Sequence, residues 1–484
     1  MLAVLSSVNA GILAAGVLLL LSVFASKVSS RYGLPALVLF IAIGMLAGSE
    51  GFGGIHFDDY RFAYGIGVVA LVLILFGGGL ESNWSQIKPV VAPGLLLATL
   101  GVAITAGIVG LVALLVLGVT PLQGLLLGAI VASTDAAAVF GVLRAQQFQL
   151  KGKLTQLLEF ESGSNDPMAI FLTFGITGLM IGELTSGWEL LPQLVKELTL
   201  GAIGGVAVGR LAAFLFKRLH LEYDGLYHVL TIAVAFLAFG GVQSLGGSGF
   251  LAVYVAGLTL GGKKFVHKDS LIQFHEGLGW LMQIVMFLAL GLLAFPSELL
   301  EGWSGNVVLA AALIFVARPV AVFVCLAPFR QIHFRKKLFL SWGGLRGAVP
   351  IVLATIPLLQ GVPGANQIFN AVFVIVILSV SLQATTIGWF ARQLGVVVPE
   401  RPGAAGRNVL TKLVELSIPA TSPAVSRSLV ELNLPGNTLL VLLTRGREAF
   451  IPHGSTVLEA GDAVLVQAHE SHLEDVKGIL LGTG

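Results

Sequence analysis

From residue 8 to about residue 398 the chain alternates long apolar runs with short polar connections. Thirteen apolar stretches are read: 8–26, 34–49, 62–80, 90–117, 121–143, 154–181, 190–216, 225–242, 248–261, 275–296, 305–328, 337–359 and 367–391. A helix crossing a bilayer needs ~20 apolar residues, so the pattern predicts an all-α polytopic membrane protein of about 13 transmembrane helices. Stretches 34–49 and 248–261 are short for the purpose. Charge tests the count. With the N-terminus outside, the connections that fall inside carry seventeen Lys and Arg, and those outside carry two, Arg61 and Lys196. The outside connections are acidic instead, with Glu50, Asp58, Asp59, Glu183, Glu189, Glu298 and Glu301. One missed span would swap every later connection, so the bias supports thirteen spans and a cytoplasmic C-terminus. An odd number also permits two six-helix repeats of opposite orientation around helix 7, an arrangement typical of transporters.

The pattern changes after residue 398. Residues 399–407 hold two prolines and two glycines and read as a linker. Beyond it, β-rich runs at 409–418, 438–444 and 462–468 alternate with a helix expected over 423–432, opened by Ser422-Pro423, and a terminal helix over 470–481. This is a small α+β domain inside the cell. Composition agrees: 56% of the 484 residues are hydrophobic and 11% charged, against about 25% charged in soluble domains, which excludes a single soluble globule. A net charge of +2 gives no polyanion-binding surface, so no nucleic acid is expected. The lone cysteine, Cys325, excludes an internal disulfide framework. The first 26 residues lack Lys and Arg, so no secretory leader is read there.

Charged side chains at bilayer depth are costly and mark function by default. Helix 5 carries Ser133-Thr134-Asp135, and helix 6 carries Glu161-Ser162-Gly163-Ser164-Asn165-Asp166-Pro167. Counted at ~1.5 Å per residue, Thr134 and Asp166 both lie about 20 Å deep, near the middle of the bilayer. Helix 12 carries Gly343-Gly344-Leu345-Arg346-Gly347, and helix 11 carries Arg318-Pro319. Pro167 cannot donate to the Gly163 carbonyl, and a carbonyl freed at this depth must be satisfied by protein, water or an ion. Ser162 and Asp166 share one helix face, as do Glu161 and Asn165. The Glu161 carboxylate needs a buried cation, and a mutual ion pair with Arg346 is the expected one. Arg318 is read as support, snorkelling or capping a broken helix. Asp135 either joins the cation site or holds helix ends. Oxygen-only ligands suit a hard cation, and no His/Cys cluster competes. His56, His267 and His275 fall at loops or span ends and are read as solvated.

At these residues the chain resembles the NhaP-type monovalent cation:proton antiporters, the cation:proton antiporter-1 family, over roughly residues 8–398. The run Val414-Glu415-Leu416, then Leu429 to Pro435 and Glu459-Ala460-Gly461-Asp462, resembles a TrkA-C (RCK C-terminal) regulatory domain over about 407–484. The combination is most similar to the bacterial potassium/proton branch. The resemblance implies an NhaA-like inverted repeat with crossed, discontinuous helices 5 and 12, and a core domain moving against a dimerisation domain in a homodimer. It implies Asp166 as the cation and proton site, with Ser162 and the Thr134 backbone completing the shell of a monovalent cation. It implies that Glu161 pairs with Arg346. Asn165 stands where the electrogenic relatives carry an acid, which implies electroneutral exchange. Ala136 and Pro167 depart from the residues many relatives carry.

A proton and a metal cation compete for one carboxylate. If the empty charged form cannot cross, competition plus alternating access gives exchange. The expected activity is therefore K⁺/H⁺ antiport, with Na⁺(Li⁺)/H⁺ antiport as the alternative, and no enzymatic reaction. A tail-gated cation channel is the reading of another class, although no carbonyl-ring filter is present. No resident cofactor is expected. The tail regulates transport and can take a nucleotide such as a cyclic dinucleotide. The expected setting is membrane lipid, as a multi-pass protein of a bacterial plasma membrane.

Overall fold

The computed structural model describes residues 2–32, 35–146, 148–219, 222–263, 265, 267–399, 411–432, 434–435, 438–446, 448–469 and 473–482. The chain divides into two compact units, Met1–Val398 and Pro399–Gly484. Of the linker expected over 399–406, all but Pro399 lies outside the described residues, as does the expected start of the tail domain at 407.

The first unit is helical, and every apolar stretch is occupied by a helix or a run of helices. The first three are α1 (Leu2–Tyr32), α2 (Ala36–Ala47) and α3 (Tyr60–Glu81). The fourth is α4 (Trp84–Ile87), α5 (Val91–Leu96) and α6 (Val102–Leu117). The fifth is split into α7 (Pro121–Ile130) and α8 (Ala136–Ala145), and the sixth is α9 (Leu154–Ile181). Then come α10 (Leu190–Arg218), α11 (Gly225–Ser244), α12 (Gly249–Gly261) and α13 (Lys268–Leu292), followed by the short α14 (Pro296–Leu300). The eleventh stretch is α15 (Trp303–Ala312) and α16 (Arg318–Cys325), and the twelfth is split into α17 (Phe334–Trp342) and α18 (Val349–Leu359). The last is α19 (Ala365–Ser379) and α20 (Thr385–Gln393). The strands β1 (Phe148–Leu150) and β2 (Val397–Pro399) form a two-stranded sheet.

Eight of these helical runs are long and apolar enough to cross a membrane. The remaining five stretches depart from that pattern for chemical reasons. Helices α2 and α12 have only 12 and 13 residues. Two stretches are broken in the middle, and α9 is 28 residues long but polar at its centre. The short α12 is held by close backbone approach. Gly201, Gly205 and Gly209 form a small-residue stripe on α10, where a Cβ would lie 2.9, 2.6 and 2.8 Å from the Ser248, Ala252 and Ala256 carbonyls. On the other side, a Cβ at Gly79 of α3 would lie 2.5 Å from the Tyr254 carbonyl. Small residues that let backbones touch are the usual basis of helix association in lipid.

The second unit is a four-stranded antiparallel sheet in the order β3-β6-β4-β5, with β3 (Thr411–Ser417), β4 (Leu439–Arg445), β5 (Glu448–Phe450) and β6 (Ala463–His469), plus the terminal helix α21 (Leu473–Leu481). The register pairs Ser417 with Ala463 and Val414 with Val466. Leu416, Leu443, Val464, Val466, Val476 and Leu480 are buried in its core. The helix expected over 423–432 does not form. Ser422 spends its hydroxyl on the Leu480 carbonyl, 2.7 Å away. The amides of Ser426, Leu429 and Val430 donate to the carbonyls of Leu458, Thr456 and Gly454. Those donors pair across to the 454–458 segment, so the stretch turns instead of coiling.

Candidate functional site

The breaks in the fifth and twelfth stretches follow from sequence. Helix α7 opens with a capping box between Thr120 and Gln123, with Pro121 in the first turn. It ends at Val131-Ala132-Ser133-Thr134-Asp135, where three consecutive short polar side chains compete for the backbone. Asp135 then caps α8, its carboxylate accepting from the Ala138 amide at 3.1 Å. The other break, Gly343 to Ala348, holds three glycines. The two breaks meet: the Asp135 amide donates to the Leu345 carbonyl at 2.8 Å. The glycines are required by this crossing. A Cβ at Gly344 would lie 2.5 Å from Arg318 Nε, and one at Gly347 would lie 2.3 Å from Asp135 Oδ2.

Helix α9 passes beside the crossing. Asp166 Oδ1 accepts from Ser133 Oγ at 2.5 Å. Asn165 Nδ2 donates to Thr134 Oγ1 at 2.6 Å. Ser162 Oγ donates to the Thr134 carbonyl at 2.8 Å and accepts from the Ala136 amide at 3.2 Å. The structure thus brings Asp166, Ser162, Asn165, Thr134 and Asp135 into one cluster. Asp166 forms no ion pair among the described residues and is 5% exposed. It lies, with Ser162, Thr134 and Asp135, on a cavity of about 320 Å³ that extends to the exposed Asn83, Gln86 and Arg144.

The two arginines differ from expectation. Glu161 is paired with Arg318, Nη1 to Oε1 at 2.5 Å, and not with Arg346. Arg318 Nη2 also donates to the Leu340 carbonyl at 3.3 Å, in the last turn of α17. Arg346 Nη1 instead donates to the carbonyls of Ala132 and Ser133 at 2.7 and 2.6 Å, just beyond the end of α7. Each arginine therefore sits at the C-terminal end of a half-helix, where free carbonyls and the helix dipole favour a cation. Helix periodicity leaves both arginines possible partners for Glu161; the choice depends on which half-helix end each one reaches. A hydroxyl–amide chain holds the arginine loop, with the Arg346 amide donating to Ser379 Oγ at 3.3 Å and Gln383 Nε2 donating to the Trp342 carbonyl at 2.8 Å.

Two groups have a place at the site that the sequence does not assign. Ser133, part of the Ser133-Thr134-Asp135 motif, is the direct partner of Asp166. Tyr254 of α12 lines the same cavity, signalled only by a phenol inside a short apolar stretch. His275 also corrects an expectation. It is buried in α13, with its Nε2 2.9 Å from Thr231 Oγ1. It lies two turns inside the helix because α13 begins at Lys268.

The family model "Sodium/hydrogen exchanger, transmembrane" matches residues 16–393, and the TrkA-C domain model matches 413–481. The chain is 39% identical over 486 residues to the K(+)/H(+) antiporter NhaP of Alkalimonas amylolytica, covering 98% of this chain and 84% of that protein. It is 39% identical to the K(+)/H(+) antiporter NhaP2 of Shewanella sp. strain MR-4, covering 98% and 83%. Among solved structures, a sodium proton antiporter of Methanocaldococcus jannaschii at pH 8 matches with a TM-score of 0.65 and 27% identity, over 77% of this chain and 99% of that one. With two broken stretches crossing at a buried carboxylate and a family model that spans most of the membrane unit, the chain belongs to the transmembrane sodium/hydrogen exchanger family and carries a TrkA-C domain.

Proposed function

We propose that this protein is a monovalent cation:proton antiporter exchanging K⁺ for H⁺ at Asp166, one for one. The single observation that carries the reading is the charge balance of the core. Among the described residues, the charged groups at the crossing are Asp135, Glu161, Asp166, Arg318 and Arg346, three carboxylates against two guanidinium groups. Each arginine is committed to a half-helix end, and Asp135 is committed as a cap. Asp166 is the carboxylate left over. A bound proton or a bound K⁺ brings the core to neutrality, whereas the empty core carries a charge that is costly at bilayer depth. The site then changes sides only when loaded, and loaded equally by either occupant, which is electroneutral exchange.

The ligand set supports a bare monovalent cation. Ser162 Oγ and the Thr134 carbonyl lie 2.8 Å apart, so a cation beside Asp166 replaces their mutual bond with two oxygen contacts. Asn165, bonded to Thr134, and Asp135, capping α8, position these groups. The cavity reaches Gln86, Arg144 and Gln156, which lie in or next to the sequence connections that carry Lys88, Arg144, Lys151 and Lys153. With the N-terminus outside and the tail in the cytoplasm of a bacterial inner membrane, the cavity therefore faces the cytoplasm. Residues 1–398 form the exchanger, built as two inverted repeats and acting as a homodimer. Residues 407–484 regulate it, with a nucleotide such as a cyclic dinucleotide as ligand. K⁺ is favoured because the two relatives are K(+)/H(+) antiporters, while the structural neighbour is a sodium proton antiporter.

The test is exchange in proteoliposomes, with K⁺, Na⁺ and Li⁺ each imposed against an internal pH-sensitive dye. Cation flux requires stoichiometric counterflow of protons, Asp166→Asn abolishes it, and Asp166→Glu retains a part. Exchange that persists with Asn at position 166 refutes the site, and cation flux without proton counterflow selects the channel.

A further inference from the structure

Glu159, Gly163 and Asp166 fall at i, i+4 and i+7 on one face of α9 and all line the cavity. Glu159 is half-buried and near the start of α9, on the side of the mouth, and Asp166 is two turns deeper. Gly163 between them has no side chain, and Tyr254 fills its place. A Cβ at 163 would lie 2.8 Å from Tyr254 Cε2 and 2.9 Å from Cζ. The ring therefore lies on α9 between a carboxylate near the mouth and the carboxylate at the deep end.

Tyr254 is 4% exposed, and among the described residues its hydroxyl makes no hydrogen bond of ordinary geometry, with the Ser82 side chain beside it. Ser82, on the same cavity wall, gives its own proton to the Gly78 carbonyl. A buried hydroxyl facing a polar cavity is satisfied by water or by what moves through it. The backbone of α12 is fixed by the glycine contacts of α10 and α3, so the phenol is a rigidly mounted oxygen.

We propose that Tyr254 is a specificity-determining residue of the exchanger. Its hydroxyl replaces one hydration water of the cation moving between Glu159 and Asp166, and its ring over Gly163 sets the width of that passage. This rests on the reading of Asp166 as the cation site. An oxygen mounted on protein favours the ion that sheds water at least cost, which is K⁺ over Na⁺ over Li⁺, because the larger ion holds its shell less tightly.

The test uses the full chain in proteoliposomes, with the apparent KM for K⁺ and for Li⁺ measured from the side of the cavity mouth. Tyr254→Phe keeps the ring and removes the oxygen. The expected result is a rise of about fivefold in KM for K⁺, the scale of one lost hydrogen bond. The K⁺/Li⁺ preference narrows, and maximal rate stays within about twofold. Gly163→Ala displaces the ring and moves KM and preference in the same direction. Unchanged KM and unchanged K⁺/Li⁺ preference in Tyr254→Phe overturn the proposal, as does loss of maximal rate in a folded protein. If Tyr254→Phe does not fold, Gly163→Ala decides by the same two readouts. Failure of the Asp166 reading is distinguishable, because it appears as exchange surviving Asp166→Asn whatever Tyr254 does.

Discussion

A double-mutant cycle tests the pairing of Glu161 with Arg318. Arg318 Nη1 and Glu161 Oε1 are 2.5 Å apart, and their side chains are 4% and 1% exposed. Removing one member of a buried pair costs about 3–5 kcal/mol, mostly because the survivor is left charged and unpaired. Arg318→Met also frees the Leu340 carbonyl at the end of α17. An unfolding entropy of about 2.1 cal/mol/K per residue over the first unit gives about 0.8 kcal/mol per degree. Arg318→Met therefore lowers the Tm of the detergent-solubilised protein by about 4–6 °C. Adding Glu161→Gln removes the stranded charge and recovers part of the loss, with a coupling of about 2–3 kcal/mol. The corresponding cycle between Glu161 and Arg346 gives less than about 1 kcal/mol, since Arg346 is bonded to the Ala132 and Ser133 carbonyls. Thermal unfolding of the four variants of each cycle is the assay. A coupling between Glu161 and Arg346 that equals or exceeds that between Glu161 and Arg318 refutes the assignment.

Three further outcomes are expected. Gly347→Ala places a methyl 2.3 Å from Asp135 Oδ2, so the crossing of the two breaks shifts and exchange falls by at least tenfold while the helical content in circular dichroism is retained; an active Gly347→Ala protein speaks against the close approach. Gly205→Leu forces apart α10 and α12, where a Cβ already meets the Ala252 carbonyl at 2.6 Å, and a protein with unchanged Tm contradicts that packing. In the tail, hydrogen bonds from Arg445 hold the Asp462 carboxyl below its ordinary value. A depressed folded value contributes stability that is present above the unfolded value, about 4, and is lost as pH falls through the folded one. Tail cleavage by an acid-active protease in the full chain therefore rises as pH drops below about 4, and Arg445→Met shows fast cleavage already above it. Equal cleavage of both proteins across that range counts against the Arg445–Asp462 clamp.

Much of the architecture is legible because lipid leaves few choices. Apolar runs must be helices, and basic residues avoid crossing. The two broken stretches were expected from the family resemblance, and the residues that make them are Ser133-Thr134-Asp135 and Gly343-Gly344 with Gly347, which either compete with the helix backbone or carry no side chain. The arginines were not readable. Arg318 and Arg346 both sit at plausible depth, and nothing in the spacing of either one says which half-helix end it reaches. The tail helix over 423–432 failed for a similar reason. Ser422-Pro423 is a sound local start signal, but Leu480, Leu458, Thr456 and Gly454 offer the segment long-range partners that no local pattern contains. The bond from Ser133 to Asp166 and the place of Tyr254 were not legible, because a serine beside an aspartate and a tyrosine in an apolar run are common.

The sequence by itself determined the membrane class, the candidate carboxylate at 166 and the oxygen donors around it, since burial in lipid makes each polar residue conspicuous. Tertiary structure alone decided which charge answers which. The crossing of two interrupted helices brings residues more than two hundred positions apart within 3 Å. Electrostatic pairing in a medium of low dielectric depends on that distance and on nothing the order of residues encodes.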